Sequence, residues 1–285
     1  MLKKIAGCVI LYNPEKSDLE NIKTYVSKVE QLYVFDNTEG KSNKDFFKNY
    51  ENVQYFSDAE NQGLPKRLNA ACKIAINEGF DFLLTMDQDS SFDNKNIDLY
   101  FENVASFKEK EKVAVFGLEY NLNDLKKEIP NFIEIDHVIT SAAIMNLSLF
   151  YEIGGFDENL FIDCVDIDYC YAELSKGLKT IKFTNLFFNH SLGETHRRGS
   201  VTSLYLFKKN VTIHSPLRLY YIYRNLLYLE AKHKNNLPEI VIKLKKNYKR
   251  HLKRSLKYSE KFFQACKYIV QAKRDFRTNK MGKIR

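Results

Sequence analysis

Phe82, Leu83, Leu84, Thr85 and Met86 form an unbroken run with little polar content, which stops at Asp87-Gln88-Asp89. A run of that length without polar alternation suits a strand covered on both faces, as in a parallel sheet flanked by helices. Two carboxylates one residue apart on extended chain point to the same side. The carboxyl end of a buried strand is where open α/β sheets bind ligands. Unneutralised, the two charges repel and one tends to hold its proton. A divalent cation removes the conflict, and hard carboxylate oxygens suit Mg²⁺ or Mn²⁺ carrying a substrate diphosphate. The same residues fit equally a polar loop that caps the strand, with Asp89 or Ser90 as an N-cap.

The chain before this point alternates strands and helices. Residues 4–12 read as strand one, ended by Asn13-Pro14. Ser17 or Asp18 can cap a helix running to about Val29. Residues 31–35 and 53–56 are strands two and three, finishing in Asp36-Asn37 and Ser57-Asp58. Asn61-Gln62-Gly63 then leads into a helix over 64–78, with Pro65 in its first turn and Gly79 as its C-cap. This is a doubly wound α/β pattern. It lines Asn13, Asp36, Asn37, Asn61, Asp87 and Asp89 along one sheet edge. Neither G-x-G-x-x-G nor a P-loop follows strand one, so a nucleotide would be held by side chains.

Further on, the pattern predicts a helix over 96–110, a strand over 113–118, a polar connection over 121–131 and an alternating stretch over 133–139. The small residues of 140–145 would admit a ligand close to backbone. A short helix (146–153), Gly154-Gly155-Phe156-Asp157, a helix over 169–176 capped by Gly177, and a strand over 178–183 follow. From Pro216 the chain reads as helices.

With 285 residues and 44% apolar content, the chain can form one large domain, or one domain with a helical extension. The expected division is a catalytic domain over 1–215 and an extension over 216–285. The net charge of +8 is unevenly spread: residues 1–204 carry 22 Lys+Arg against 32 Asp+Glu, a balance of −10, and residues 205–285 carry 22 against 4, a balance of +18. The first part resembles an acidic enzyme, and the second is suited to a polyanion or an anionic surface. Val241, Leu244, Tyr248, Leu252 and Leu256 recur at three- and four-residue spacing among Lys and Arg, the pattern of a basic amphipathic helix. Such helices bind anionic membranes. The same stripe fits packing on the catalytic domain or on a second subunit. Five scattered cysteines without C-x-x-C argue against a disulfide framework or a zinc site, and for a reducing compartment. The apolar start is short and lacks a small-residue cleavage site, and no run approaches ~18 apolar residues, so neither a leader nor a membrane span is expected.

Three further features bear on chemistry. Asp163, Asp166 and Asp168 cluster at a helix start, where the dipole favours carboxylates. Three exceed what one cap needs, and Asp166 is the candidate catalytic residue. His190 follows an aromatic stretch and can serve as a third metal ligand or as a structural residue. Arg197-Arg198-Gly199 reads as a mobile basic loop that either closes on a diphosphate or stays solvated.

In order, the segments Val9-Ile10-Leu11-Tyr12-Asn13-Pro14, Val34-Phe35-Asp36-Asn37, Asn61-Gln62-Gly63-Leu64, Asp87-Gln88-Asp89-Ser90, Gly154-Gly155-Phe156-Asp157, Val165-Asp166-Ile167-Asp168, His190-Ser191-Leu192-Gly193 and Tyr223-Arg224-Asn225 resemble the inverting GT-A glycosyltransferases of family 2. They are most similar to the bacterial rhamnosyltransferases that build cell-surface polysaccharide, over about residues 3–224. The resemblance implies a GT-A fold, a Rossmann-like mixed and mostly parallel sheet between helices. It implies that Tyr12 and Asn13 line the nucleotide pocket, that Asp36 and Asn37 contact the base, and that Asn61, Gly63 and Lys66 face the nucleotide sugar. Asp87 would contact ribose or sugar, Asp89 and His190 would hold Mn²⁺ or Mg²⁺, and Asp166 would be the general base. Val165 stands where many members have Glu, and Asp166 keeps the position of the base.

The implied donor is dTDP-rhamnose, with a UDP-hexose or UDP-galactofuranose as alternatives. The implied acceptor is a glycan, lipid-linked, at the cytoplasmic face of the cell membrane, where the basic helices would attach peripherally. A homodimer stays open. A nucleotidyltransferase would also use carboxylates and a metal, but the glycine- and Lys/Arg-rich loop it needs after strand one is missing. A nucleic-acid-binding protein would leave the Asp-rich strand ends unexplained, so no nucleic-acid partner is expected.

Overall fold

The computed structural model describes residues 4–120, 130–190, 195–201, 206 and 208–284. They form two units, one of Met1–Glu158 with Val165–His190, the other of Asn159–Cys164 with Ser191–Arg285.

In the first unit, β1 (Ile5–Leu11), β2 (Gln31–Asp36), β3 (Val53–Ser57) and β4 (Phe82–Asp87) are parallel and lie in the order β3-β2-β1-β4. The order reverses between β1 and β4, the place where α/β sheets open a crevice at their strand ends. The run that ends in Asp87 is central: Phe82, Leu83 and Leu84 are fully buried between β1 and β8 (Ala143–Asn146). β5 (Ser90–Ser91), β6 (Val113–Tyr120), β7 (Phe132–Ile135) and β9 (Lys179–His190) complete a nine-stranded sheet among the described residues. β6 and β9 are parallel, whereas β8 runs antiparallel to both β4 and β6.

α1 (Lys16–Ile22), α2 (Leu64–Asn77), α3 (Asn94–Ser106), α4 (Phe150–Ile153) and α5 (Val165–Leu174) connect the strands. α1 departs from expectation at both ends. Its cap is Glu15, in a reciprocal box with Asp18, and it stops at Ile22 rather than near Val29. There the hydroxyl of Thr24 donates to the Asn21 carbonyl at 2.6 Å, which satisfies a terminal acceptor and favours the 3-10 turn at Val26–Lys28 that follows. The second half of the 140–145 run enters β8, with Ile144 opposite Leu84 and Ala143 opposite Thr85. Thr140, just before it, stays half-buried. β9 is one continuous strand to His190 rather than ending at 183.

In the second unit, β10 (Thr195–Gly199) pairs antiparallel with β11 (Lys208–Thr212). Arg197 and Arg198 therefore lie on a hairpin strand, not in a mobile loop; the cross-strand partners are Asn210 and Lys209. The tail folds as α6 (Pro216–His233), α7 (Pro238–Lys257) and α8 (Phe262–Arg277). Its apolar stripe is consumed inside this bundle. Leu252 packs with Leu219, Ile222 and Ala265, and Tyr248 and Leu256 lie against them. What α7 presents outward is mainly Lys and Arg. No helix among the described residues is long and apolar enough to cross a membrane.

Candidate active site

Strand register explains how residues far apart in the chain meet. Asp87 is the last residue of β4 and lies beside Ile10 at the end of β1. Three residues on, β5 pairs with β9 so that Ser90 stands opposite His190. That ladder carries an imidazole a hundred positions downstream to the two carboxylates. One ligand atom each from Asp87, Asp89 and His190 fall within 4.8 Å of one another. Two hard carboxylate oxygens and one imidazole nitrogen are a donor set that Mn²⁺ accepts readily and Mg²⁺ can share.

The cluster is held by neutral groups. Ser90, fully buried, sits 2.8 Å from His190 Nδ1 and accepts a bond from the Ser141 hydroxyl at 2.7 Å. Ser141 Oγ in turn accepts from the Asp87 backbone N–H at 3.2 Å. Such an outer hydrogen bond fixes the orientation of a metal-binding ring. His190 Nδ1 is also 3.4 Å from Asp89 Oδ1. Burial works against a charged imidazole here, but the bond to Asp89 and the charges of Asp89 and Asp87 outweigh it and raise the His190 pKa above its ordinary value.

Gln88, between the two aspartates, faces the other way. Its Oε1 accepts from the Tyr12 N–H at 2.8 Å, its Nε2 donates to Asp18 Oδ2 at 3.1 Å, and its carbonyl accepts from Asn21 Nδ2 at 3.1 Å. The ends of β1 and β4 are thereby stitched together. Tyr12 itself is 49% exposed, so its ring face is open to a planar partner. Asn13, in the left-handed region at φ 46°, donates its N–H to Thr38 Oγ1 at 2.8 Å.

Asp36 is fully buried, and its carboxylate organises the turn after β2. It accepts from Thr38 N at 2.9 Å, from Asn43 N and Nδ2 at 3.2 and 2.8 Å, and from the Tyr55 hydroxyl. Burial would raise its pKa, but these donors together bring it below the usual value. Asn37 Oδ1 accepts from Gln62 N at 3.2 Å and from Arg67 Nε at 2.7 Å. Asn61 Oδ1 accepts the N–H of Gly63, which opens α2 at φ 81°, a region glycine enters without strain. Lys66 is exposed and donates to Gln62 at 2.6 Å. The residues of the expected sheet edge are thus neighbours through their hydrogen bonds.

Asp166, in the first turn of α5, is not one of the three residues that cluster. A small recess beside it is lined by Thr140, Phe156 and Tyr169 among others. Phe156 stacks on Tyr169, one turn along α5, at 4.5 Å. Asn69 on α2 fastens both backbone groups of Phe156, accepting its N–H at 2.8 Å and donating to its carbonyl at 2.9 Å. The roles of Asn69, Gln88, Ser90 and Ser141 escape sequence reading, because each acts through a partner distant in the chain. Of the His190-Ser191-Leu192-Gly193 stretch, only His190 falls within the described residues.

No family model matches the chain. In sequence it is similar to the dTDP-rhamnosyl transferase RfbF of Shigella flexneri, 25% identical over 259 residues that cover 84% of this chain and 83% of that protein. In structure it is similar to GalNAc-T7 solved with UDP, GalNAc and Mn²⁺, with a TM-score of 0.54 and 12% identity. That match covers 66% of this chain, which spans 44% of the length of the GalNAc-T7 chain. The chain therefore has the GT-A glycosyltransferase fold, and its similarity to a rhamnosyl transferase supports glycosyl transfer as its chemistry.

Proposed function

We propose that this chain transfers a sugar, with inversion, from a nucleotide-diphosphate donor to a hydroxyl of an acceptor glycan. The observation that carries this is the convergence of Asp87, Asp89 and His190 at the switch point of the sheet. Asp89 and His190 are the metal ligands in this reading, and Asp87 adds a contact to ribose or sugar. When bound there, Mn²⁺ or Mg²⁺ supplies charge neutralisation to the leaving diphosphate.

The chain's own residues do the rest. Tyr12, Asn13 and Asn37, with the turn that Asp36 organises, receive the base. Asn61, Gly63 and Lys66 face the nucleotide sugar. Asp166 takes the proton from the acceptor hydroxyl as it attacks the anomeric carbon from the face opposite the leaving group. One displacement inverts the centre, and no covalent enzyme intermediate is involved.

The donor is dTDP-rhamnose in this reading, supported by the rhamnosyl transferase relative. The acceptor is a lipid-linked glycan at the cytoplasmic face of the membrane, and the outward Lys and Arg of α7 provide attachment to anionic lipid. Because the apolar stripe of α7 is already used in the bundle, attachment of this kind is electrostatic and weakens with salt. A thermal-shift panel of dTDP-rhamnose, UDP-glucose and UDP-galactofuranose with Mn²⁺ tests the donor, since a ligand of the native state raises its melting temperature. The largest shift is expected with dTDP-rhamnose. A larger shift with either UDP sugar reassigns the donor, and release of pyrophosphate instead of nucleoside diphosphate overturns the reaction class.

A further inference from the structure

The second unit contains a cavity of about 420 Å³ between α6, α8 and the segment that follows α8. Four cationic side chains line it, Arg224, Arg274, Lys280 and Lys283, against one carboxylate, Asp275. Arg224 is only 1% exposed. A guanidinium keeps its charge at any ordinary pH, so burying it is costly unless an anion answers it. Among the described residues its acceptors are all neutral: Asn225 Oδ1 at 3.3 Å, the Tyr220 hydroxyl at 3.2 Å and the Lys280 carbonyl at 3.5 Å. These bonds are long for charged donors, which normally reach about 2.7–2.9 Å on an anionic oxygen. The rings of Tyr220 and Tyr221, 5.1 and 5.2 Å from the guanidinium carbon, add a cation–π contribution.

Asp275 does not fill the gap. Its Oδ2 accepts from the Tyr220 hydroxyl at 3.0 Å, and its Oδ1 lies 3.4 Å from Arg274 Nε. It answers Arg224 only at second hand, through the tyrosine. The backbone after α8 is fastened so that the cavity keeps its wall: Lys280 N–H donates to the Asp275 carbonyl at 2.8 Å, and Ile284 N–H donates to the Tyr221 hydroxyl at 3.0 Å. The site is thus a concave, walled basic pocket backed by a buried guanidinium whose Nε and Nη2 rest on Asn225 Oδ1, and its excess of cationic side chains suits a tetrahedral oxyanion.

We propose that this cavity is a second ligand site, one that takes a phosphoryl or diphosphoryl group. The group is either a free diphosphate or the phosphate of a lipid headgroup. The proposal goes beyond the glycosyl-transfer reading and shares no residue with the site at the end of β4.

Calorimetric titration of pyrophosphate into the full-length chain in EDTA reads this site alone, because the carboxylates at β4 then have no cation with which to hold a diphosphate. Saturable binding with one equivalent is expected. Lys280→Ala combined with Lys283→Ala, both at exposed positions, should weaken it about tenfold or more with the melting temperature unchanged. Arg224→Lys keeps the charge but removes the fork, and should weaken binding in the same direction. Unchanged affinity in the double-lysine variant, or no saturable binding in the parent chain, overturns the proposal. Co-sedimentation with phosphatidylcholine vesicles, with and without phosphatidic acid, separates the two sources. Pyrophosphate releasing the chain from the acidic vesicles assigns the headgroup, and pyrophosphate binding that leaves vesicle association untouched assigns a free diphosphate.

Discussion

At the end of β4 two carboxylates converge with an imidazole, and hydroxyls and amides from Ser90, Ser141 and Gln88 hold the surrounding chain in place. In the bundle of α6 to α8 a buried guanidinium rests among tyrosine rings, and its hydrogen-bond acceptors among the described residues are neutral. The first gathers carboxylates, and the second gathers cationic side chains. The acidic one is built from strand ends, where register sets positions closely, and its spacing matches a small hard cation. The basic one is built from two helices and a trailing segment, and encloses a volume suited to a larger anion. Where a shaped site gathers one sign of charge, the shape and the sign together indicate the ligand class.

Asp36 and Glu173 make the same comparison within one unit. Both are fully buried carboxyls. Asp36 receives donors from Thr38, Asn43 and Tyr55 and titrates below its usual range. Glu173 has the Thr180 hydroxyl on one oxygen, and its Oε2 has no hydrogen-bond partner among the described residues, so burial pushes its pKa up to about 8. Burial alone therefore does not decide the charge; the number of donors does.

The sharpest test of the proposed reaction is Asp166→Asn, expected to lower turnover by roughly 10²–10⁴-fold, the usual share of a general base. Nucleotide affinity should be nearly unchanged, and wild-type release of nucleoside diphosphate by this variant would refute the base assignment. Glu173→Gln tests the contrast with Asp36. The folded chain keeps a proton on Glu173 that the unfolded chain gives up near the ordinary value of 4.5. Its contribution is therefore flat below that pH, falls by up to about 1.4 kcal/mol per pH unit until the folded pKa near 8, and is flat again above it. The variant should lose that slope in denaturation curves taken between pH 5 and pH 8; an identical slope places the titration elsewhere. Asn69→Ala removes both bonds to Phe156 and should destabilise by about 1–3 kcal/mol. Urea midpoints matching the parent chain would show that Phe156 is held without it. Lys246→Glu, exposed on α7, should change stability by less than about 0.5 kcal/mol. It should also leave pyrophosphate binding intact, which separates the solvated basic face from the basic pocket.

Much of the acidic site could be read from residues in sequence, because strand ends announce themselves: an apolar run stops and Asn or Asp begins. Asp87, Asp89, Asp36 and Asn37 were all visible in that way. The means by which His190 arrives was not visible. It depends on a two-residue strand, Ser90–Ser91, too short to carry any period. Gln88, the variable letter of the motif, holds β1 to β4 with bonds that only the fold reveals. In the tail, spacing marked the apolar face of α7 correctly but could not name its partner, which is Leu219, Ile222 and Ala265 in the same unit. Periodicity identifies a face; it carries no information on what covers that face. The basic pocket was not legible as a whole: Arg224 lies in the Tyr223-Arg224-Asn225 segment, but Arg274, Lys280 and Lys283 join it from two other stretches of a uniformly basic tail.

The central claim is that the cluster at the end of β4 holds the donor diphosphate through a divalent cation. Its most direct measurement is calorimetric titration of dTDP and UDP into the wild-type chain and Asp89→Ala, each with Mn²⁺ and with EDTA. At least one nucleotide should bind the wild-type chain about tenfold or more tightly with Mn²⁺ than with EDTA, and the variant should show no such difference. Equal affinity with and without Mn²⁺ in the wild-type chain, or an undiminished Mn²⁺ effect in Asp89→Ala, would contradict it.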